Sequence, residues 1–338
     1  MMHGSGHPVI RVRHLSHRFG DFDVLRDVSF EVGAGEIFGF IGPNGAGKTT
    51  TIRILTTLLE PTSGRIEVDG HDVTIDPEAV RRVLGYMPDH AGVYERVTVR
   101  EYLEFFADAY HVSAARVEAV MALTDLGKLE AKFVATMSKG MKQRLQLART
   151  LLHDPKVLIL DEPASDLDPR ARIEMRDLLL ELRRMGKTIL LSSHILTELS
   201  DICTSVAILE RGSVVVSGPI GEIARRLEAY RASTAHGPSF DGPGPTNTAA
   251  TGAVVHRAKL KVLAPREVVA AHLEAVPCVL EVSRGPLETI LVAYTGGERE
   301  LAAIVRVLVL AEVPVVGVEP ERDELERIFL EVTKGDVQ

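Results

Sequence analysis

The first strong signal along the chain is a change of hydrophobic period. Ile37-Phe38-Gly39-Phe40-Ile41 is an unbroken apolar run rich in β-formers, which predicts a short strand buried on both faces. Beyond a glycine-rich stretch, residues 50–59 place Ile52, Leu55 and Leu59 on one stripe, which predicts a helix. Upstream, 9–15 alternates apolar with basic residues, and 24–32 is a second strand-like region stopped at Gly33 and Gly35. Together these predict an antiparallel β layer leading into the buried strand. Residues 65–70 read as a strand closed by an Asp-Gly turn, and 83–87 as another, stopped by Pro88.

From 98 to 133 the period becomes helical. Val99, Tyr102, Leu103, Phe106 and Tyr110 share one face, and Val117, Val120, Met121 and Leu126 share another. This predicts a helical insertion over about 95–155. Within it, Ser138 is placed to cap a helix that runs through Leu152 and ends at Asp154-Pro155. Val157-Leu158-Ile159-Leu160 is the next buried strand, and it delivers Asp161 and Glu162 at its C-terminal end. A helix over 169–185 closes on Gly186, 188–191 is a further buried strand, and 206–217 reads as a hairpin around Arg211-Gly212.

Residues 232–252 are rich in Gly, Pro, Ser, Thr and Ala with almost no large apolar side chain, which predicts a flexible linker. The expected organisation is a large domain over 9–230, a linker over 231–252 and a small α+β domain over 253–338. The small domain reads β-α-β-β-α-β, the order of a ferredoxin-like unit, followed by a last helix over 323–332. No catalytic constellation occurs in it.

Composition narrows the function classes. Charged residues make up 25% and the net charge is −8, so broad sequence-independent nucleic-acid binding is not expected. The two cysteines, Cys203 and Cys278, lie far apart with no metal-binding spacing, which predicts free thiols and a reducing compartment. No cationic segment leads into an apolar core at the N-terminus, and no stretch approaches about 18 apolar residues. A role at a membrane is therefore expected to come through a partner.

The glycine-rich stretch carries the chemistry. Gly42-Pro43-Asn44-Gly45-Ala46-Gly47-Lys48-Thr49 matches the phosphate-binding pattern G-x-x-x-x-G-K-[ST], between a strand and a helix as that pattern requires. Backbone N–H groups and the helix N-terminus would cradle phosphate oxygens, Lys48 would reach the β- and γ-phosphates, and the Thr49 hydroxyl would hold Mg²⁺. Asp161 would orient Mg²⁺ and Glu162 would polarise the attacking water.

Five pieces stand in order: Gly42 to Thr50, Ser138-Lys139-Gly140-Met141-Lys142-Gln143-Arg144, Leu158 to Pro163, Ala164-Ser165-Asp166-Leu167-Asp168, and Ser193-His194. This set resembles the nucleotide-binding domain of ATP-binding cassette (ABC) transporters over roughly 9–230. The resemblance implies a P-loop NTPase fold with an antiparallel β layer, a mostly parallel core sheet and the helical insertion. It implies ATP and Mg²⁺ as ligands, with Phe19 stacking on adenine. Ser138 and Gly140 would form a signature loop facing ATP on another subunit, His194 would contact the γ-phosphate, and Asp168 would touch the opposing phosphate loop. The implied assembly is a head-to-tail homodimer or pseudo-dimer bound to a transmembrane permease at the cytoplasmic face of the membrane.

Four positions depart from the family pattern: Lys139 and Met141 in the signature, Asp89 where a glutamine is usual, and Asp166 where a glycine is common. The signature, the Tyr102 to Phe106 run and the terminal Leu-Glu-Arg-Ile-Phe-Leu-Glu-Val-Thr from Leu325 resemble the ATPases of type-2 exporters. The competing expectation is a soluble ABC ATPase unconnected with transport.

Overall fold

The computed structural model describes residues 8–89, 92–193, 196–234, 255–273, 275–284 and 289–320, with 325, 328, 329 and 333. They fall into two compact units, one running up to Ala224 and again from Leu325, the other from Arg225 to Glu324.

The first unit contains two sheets. β1 (Ile10–Phe19), β2 (Phe22–Val32), β4 (Ser63–Val68) and β5 (His71–Asp72) form an antiparallel layer in the order β2-β1-β4-β5. The second sheet is built on β3 (Ile37–Ile41), with β6 (Leu84–Met87), β7 (Val157–Asp161), β8 (Thr188–Ser193), β9 (Ser205–Glu210) and β10 (Ser213–Pro219). Its order is β10-β9-β3-β8-β7-β6, parallel throughout except for the β9–β10 hairpin. β3, β7 and β8 are buried at every position, as strands covered on both faces must be. Phe30 of the antiparallel layer stacks on Phe38 and packs tilted against Phe40 of β3, at centroid distances of 5.6 and 5.3 Å, and joins the two sheets in one core.

Parallel register decides where the chemistry gathers. Ile41 pairs with Ser193, Asp161 with Ser192, and Met87 with Leu160, so β3, β8, β7 and β6 end at one level. The loops leaving that edge carry Gly42 to Lys48, Asp89, and Asp161 with Glu162, at the carboxyl ends where open α/β sheets bind ligands.

The first unit's helices are α1 (Lys48–Leu55), α2 (Pro77–Val83), α3 (Val99–Ala109), α4 (Ala114–Leu123), α5 (Lys139–Leu151), α6 (Pro169–Arg184) and α7 (Leu196–Ser200). α1 starts two residues earlier than its apolar stripe suggests and stops at Leu55, where Thr57 at φ 61° turns the chain away. The insertion, α3 to α5, is fixed at its entrance by a capping box. The Thr98 hydroxyl accepts from Glu101 N–H, and the Glu101 carboxylate accepts from Thr98 N–H at 2.7 Å. Arg100 pairs with Glu104 and Glu118 and bridges to Glu130, binding α3 to α4 and to the segment after it.

α8 (Ile220–Thr234) runs helical through 231–234, where the sequence reading already had linker; Arg231 and Ala232 are good helix formers that composition alone counted with the linker. The rest of that linker, and most of the predicted last helix, lie outside the described residues. In the second unit, β11 (Val255–Val262), α9 (Arg266–Leu273), β12 (Val279–Arg284), β13 (Ile290–Thr295), α10 (Glu298–Leu310) and β14 (Val315–Pro320) follow the β-α-β-β-α-β order. The antiparallel order β12-β13-β11-β14 is ferredoxin-like, with Leu260, Val292, Ile304 and Leu308 in its core. Cys203 and Cys278 are both free.

Candidate active site

Two glycines set the path of the phosphate loop. Gly47 caps α1 at φ 105°, and a Cβ there would come within 2.5 Å of Leu25 Cδ2. A Cβ on Gly42 would lie 2.4 Å from the Leu209 carbonyl oxygen. Only glycine lets the loop lie this close to β2 and β9. Because α1 begins at Lys48, inside the motif, its first N–H groups have no partner within the helix and remain available to an anion.

Lys48 is 7% exposed, and its ammonium donates to the carbonyl oxygens of Gly42 at 2.6 Å and Pro43 at 3.2 Å. Burial pulls its pKa below the usual lysine range, against the attraction of Glu162 and Asp161. Asp161 ends β7 at 4% exposure. Burial pushes its carboxyl above the usual range; the Ser192 hydroxyl pulls it back, Asp89 adds to the rise, and Lys48 and the Thr49 hydroxyl lower it. Both groups are thus buried against their charged forms, and a bound phosphate chain with a cation would supply the charges each lacks.

Ser192 ties the Asp161 carboxylate to the backbone of Glu162. Its hydroxyl donates to Asp161 Oδ1 at 2.5 Å and accepts from Glu162 N–H at 3.0 Å. Glu162 itself sits at φ 50°, a left-handed turn that takes the chain sharply off the strand.

Lys48, Asp161 and Glu162 line one cavity of about 580 Å³ with Pro43, Asn44, Gly45, Gly47, Thr49, Thr50 and Asp89. Gly42 and Ala46 are buried behind them. Asp89 Oδ1 accepts from the Ser165 hydroxyl at 3.3 Å. Tyr86 also lines this cavity; burial, with Asp161 and Asp89 adding to the effect, pushes its phenol up to about 12.

The remaining candidates stand elsewhere. Ser138, Gly140 and Asp168 border a separate cavity of about 350 Å³ between α5 and α6. Ser138 caps α5, its hydroxyl accepting from Met141 N–H at 3.3 Å, and Asp168 caps α6 by accepting from Ala171 N–H at 2.9 Å. Gly140 has a packing reason of its own, since a Cβ there would lie 2.9 Å from Ala171 Cβ. Phe19 is 51% exposed at the end of β1, edge-on to His17 at 4.5 Å, and is not among the residues lining the phosphate cavity. His194 lies outside the described residues.

Residues 25–165 match the family model described as ABC transporter. The chain is 39% identical over 218 residues to the daunorubicin resistance ATP-binding protein DrrA3 of Streptomyces coeruleorubidus, covering 63% of this chain and 69% of that one. It is 41% identical over 213 residues to the Nod factor export ATP-binding protein I of Burkholderia lata, covering 62% and 70%. The chain belongs to the ATP-binding proteins of ABC transporters. A solved ATP-binding subunit of an ABC transporter superposes with a TM-score of 0.60 at 35% identity, covering 67% of this chain and 99% of that one.

This ABC subunit binds and hydrolyses ATP and works with a transmembrane component. Among its described residues, no helix is long and apolar enough to cross a membrane. Nor does any group of three or more His, Cys, Asp or Glu among them hold a metal by itself. The donor set nevertheless suits Mg²⁺: the Thr49 hydroxyl and the buried Asp161 carboxylate are hard oxygens in contact, and Mg²⁺ commonly takes one or two such groups together with substrate phosphates.

Ser192 was not singled out in the sequence. No local pattern marks it; its place beside Asp161 follows from the β7–β8 register. Ser192→Ala removes the donor to a buried carboxylate oxygen, a loss of about 1–3 kcal/mol. Turnover is expected to fall about 10- to 100-fold while ATP binding persists, read by steady-state hydrolysis beside a nucleotide-binding titration.

Proposed function

We propose that this subunit powers an exporter as one half of a head-to-tail dimer, closing on two ATP molecules and reopening after hydrolysis. The observation that carries the reading is the division of the site. One chain gathers the phosphate loop, Asp161, Glu162 and Asp89 in one cavity, and holds Ser138, Gly140 and Asp168 around another. A second copy turned end to end would bring the N-terminus of α5 to the exposed side of the bound triphosphate.

In this reading Lys48 and the first N–H groups of α1 bind the β- and γ-phosphates, and Phe19 stacks on adenine. Thr49 and Asp161, with Asp89 beside them, would hold Mg²⁺, and the ion would neutralise phosphate charge. Glu162 accepts the proton of the attacking water, while His194, Ser138 and Gly140 contact the γ-phosphate and Asp168 meets the opposite phosphate loop.

The permease surface is the start of the helical insertion. Tyr94 and Phe105 are both more than half exposed, with ring centroids 5.5 Å apart, and Phe106 lies 6.3 Å from Tyr94 beneath the Arg149 guanidinium. A contiguous exposed aromatic patch of this kind marks an interaction site. Export is supported by the exporter and drug-resistance relatives. The subunit would then sit at the cytoplasmic face of the membrane through its permease.

Affinity purification of the tagged chain from detergent-solubilised membranes of its host is expected to recover a polytopic membrane protein in near-equal amount. Tyr94→Ala with Phe105→Ala should lose it. Recovery of soluble proteins alone, with hydrolysis intact, overturns the transport reading.

A further inference from the structure

Two of the positions that depart from the family pattern meet each other. Lys139 Nζ lies 2.7 Å from Asp166 Oδ2, joining the first residue of α5 to the loop that follows Glu162. Asp166 also lines the phosphate cavity of its own chain, so the pair connects the signature end of the helical insertion to the wall of the catalytic pocket.

The charges at this end of α5 are unusual for a helix. The N-terminus carries positive dipole charge and favours acids, yet the first turn of α5 has no acidic residue. Lys139 and Lys142 stand there instead, and both are neutralised from outside the helix, Lys139 by Asp166 and Lys142 by Glu95 at 3.1 Å. The helix end is therefore a cationic locus that draws an anion from elsewhere, and in this chain a carboxylate occupies that place.

From this geometry we infer that the Lys139–Asp166 pair is an electrostatic latch. Asp166 holds the signature end of α5 within its own chain, and the triphosphate on the partner subunit displaces it from Lys139 when the dimer closes. The inference rests on the head-to-tail reading above. It makes Lys139 a phosphate-facing residue in the closed state and Asp166 a positioning residue that delays closure until nucleotide is present. With side chains 47% and 75% exposed, the pair is of the solvent-screened kind, and its influence amounts to about two- to fivefold in an equilibrium.

The test uses the full chain carrying Glu162→Gln, with dimer formation followed by light scattering as Mg-ATP is raised. Asp166→Asn keeps the side-chain shape and tolerates the left-handed backbone at φ 55°. It is expected to lower the ATP concentration for half-dimerisation about two- to fivefold. Lys139→Gln is expected to raise it, and Asp166→Asn added to Lys139→Gln is expected to change nothing further. The Asp166→Asn effect should shrink as salt rises from 0.05 to about 0.5 M, which a change of packing alone would not do. An equal Asp166→Asn effect with and without Lys139, or a shift to higher ATP, overturns the latch while leaving the dimer reading intact. Absence of any ATP-driven dimer in the Glu162→Gln parent overturns the head-to-tail reading and the latch with it.

Discussion

Lys48→Ala is expected to abolish ATP binding at millimolar nucleotide. The ammonium is buried and rests on the loop's own carbonyl oxygens at Gly42 and Pro43, with no counter-ion in direct contact among the described residues. Its pKa is drawn down by that burial, so the resting site pays to keep a cation there. A phosphate chain offsets the cost through hydrogen bonds to a charged group, each worth about 1.5–3 kcal/mol, or about 10- to 150-fold in affinity. Removing the side chain also leaves the Gly42 and Pro43 carbonyls without their donor, so a second variant is needed. Lys48→Met keeps the apolar stem and should match alanine in binding while melting closer to the parent. Melting with and without Mg-ATP separates the effects. The parent should gain about 2.7 kcal/mol of stability at a hundredfold excess over Kd, and neither variant should gain any. Retained ATP-dependent stabilisation in Lys48→Met would remove Lys48 from its assigned contact.

Much of this site was legible in the chain because its parts are local. A phosphate loop needs glycines, a lysine and a hydroxyl at fixed spacing, and the flanking strand and helix announce themselves through period. Asp161 and Glu162 follow a four-residue apolar run that fits only a buried strand. The illegible parts depend on contacts between distant segments. Nothing near Ser192 signals that it bridges Asp161 and Glu162; that follows from the β7–β8 register, a relation across thirty residues of sequence. Lys139 and Asp166 look like unrelated irregularities until the chain folds and brings them within 2.7 Å.

The elements show the same division. α2 carried its cues openly, with Asp76 accepting from Ala79 N–H at 3.1 Å and Pro77 at the first helical position. Its seven residues are too few to set up an amphipathic period, and only Val80 is buried. Gly140 looked purely functional by its place in the motif, yet the closeness of Ala171 gives it a packing reason that no local pattern could reveal.

Glu162→Gln is expected to lower ATP turnover about 100- to 10,000-fold, the range for loss of a general base, with nucleotide binding retained. The amide has the size and shape of the carboxylate, so the left-handed turn at φ 50° and the hydrogen bond from Glu162 N–H to Ser192 need not change. What would disappear is the ability proposed for Glu162, to take a proton from water beside the γ-phosphate. In the proposed head-to-tail dimer, closure is built on ATP and released by its cleavage, so blocking that step should make the dimer accumulate as Mg-ATP is added. Size-exclusion chromatography with light scattering should then show a species of twice the chain mass with ATP, and only the monomer mass with ADP. Asp161→Asn is the informative contrast. It removes charge from the buried carboxylate that suits Mg²⁺, so it should impair Mg-ATP binding itself and give no trapped dimer. If Glu162→Gln hydrolyses ATP at the parental rate, the base lies elsewhere. If both variants trap the dimer equally, Asp161 is not needed to hold the metal–nucleotide complex, and its assignment to the metal falls.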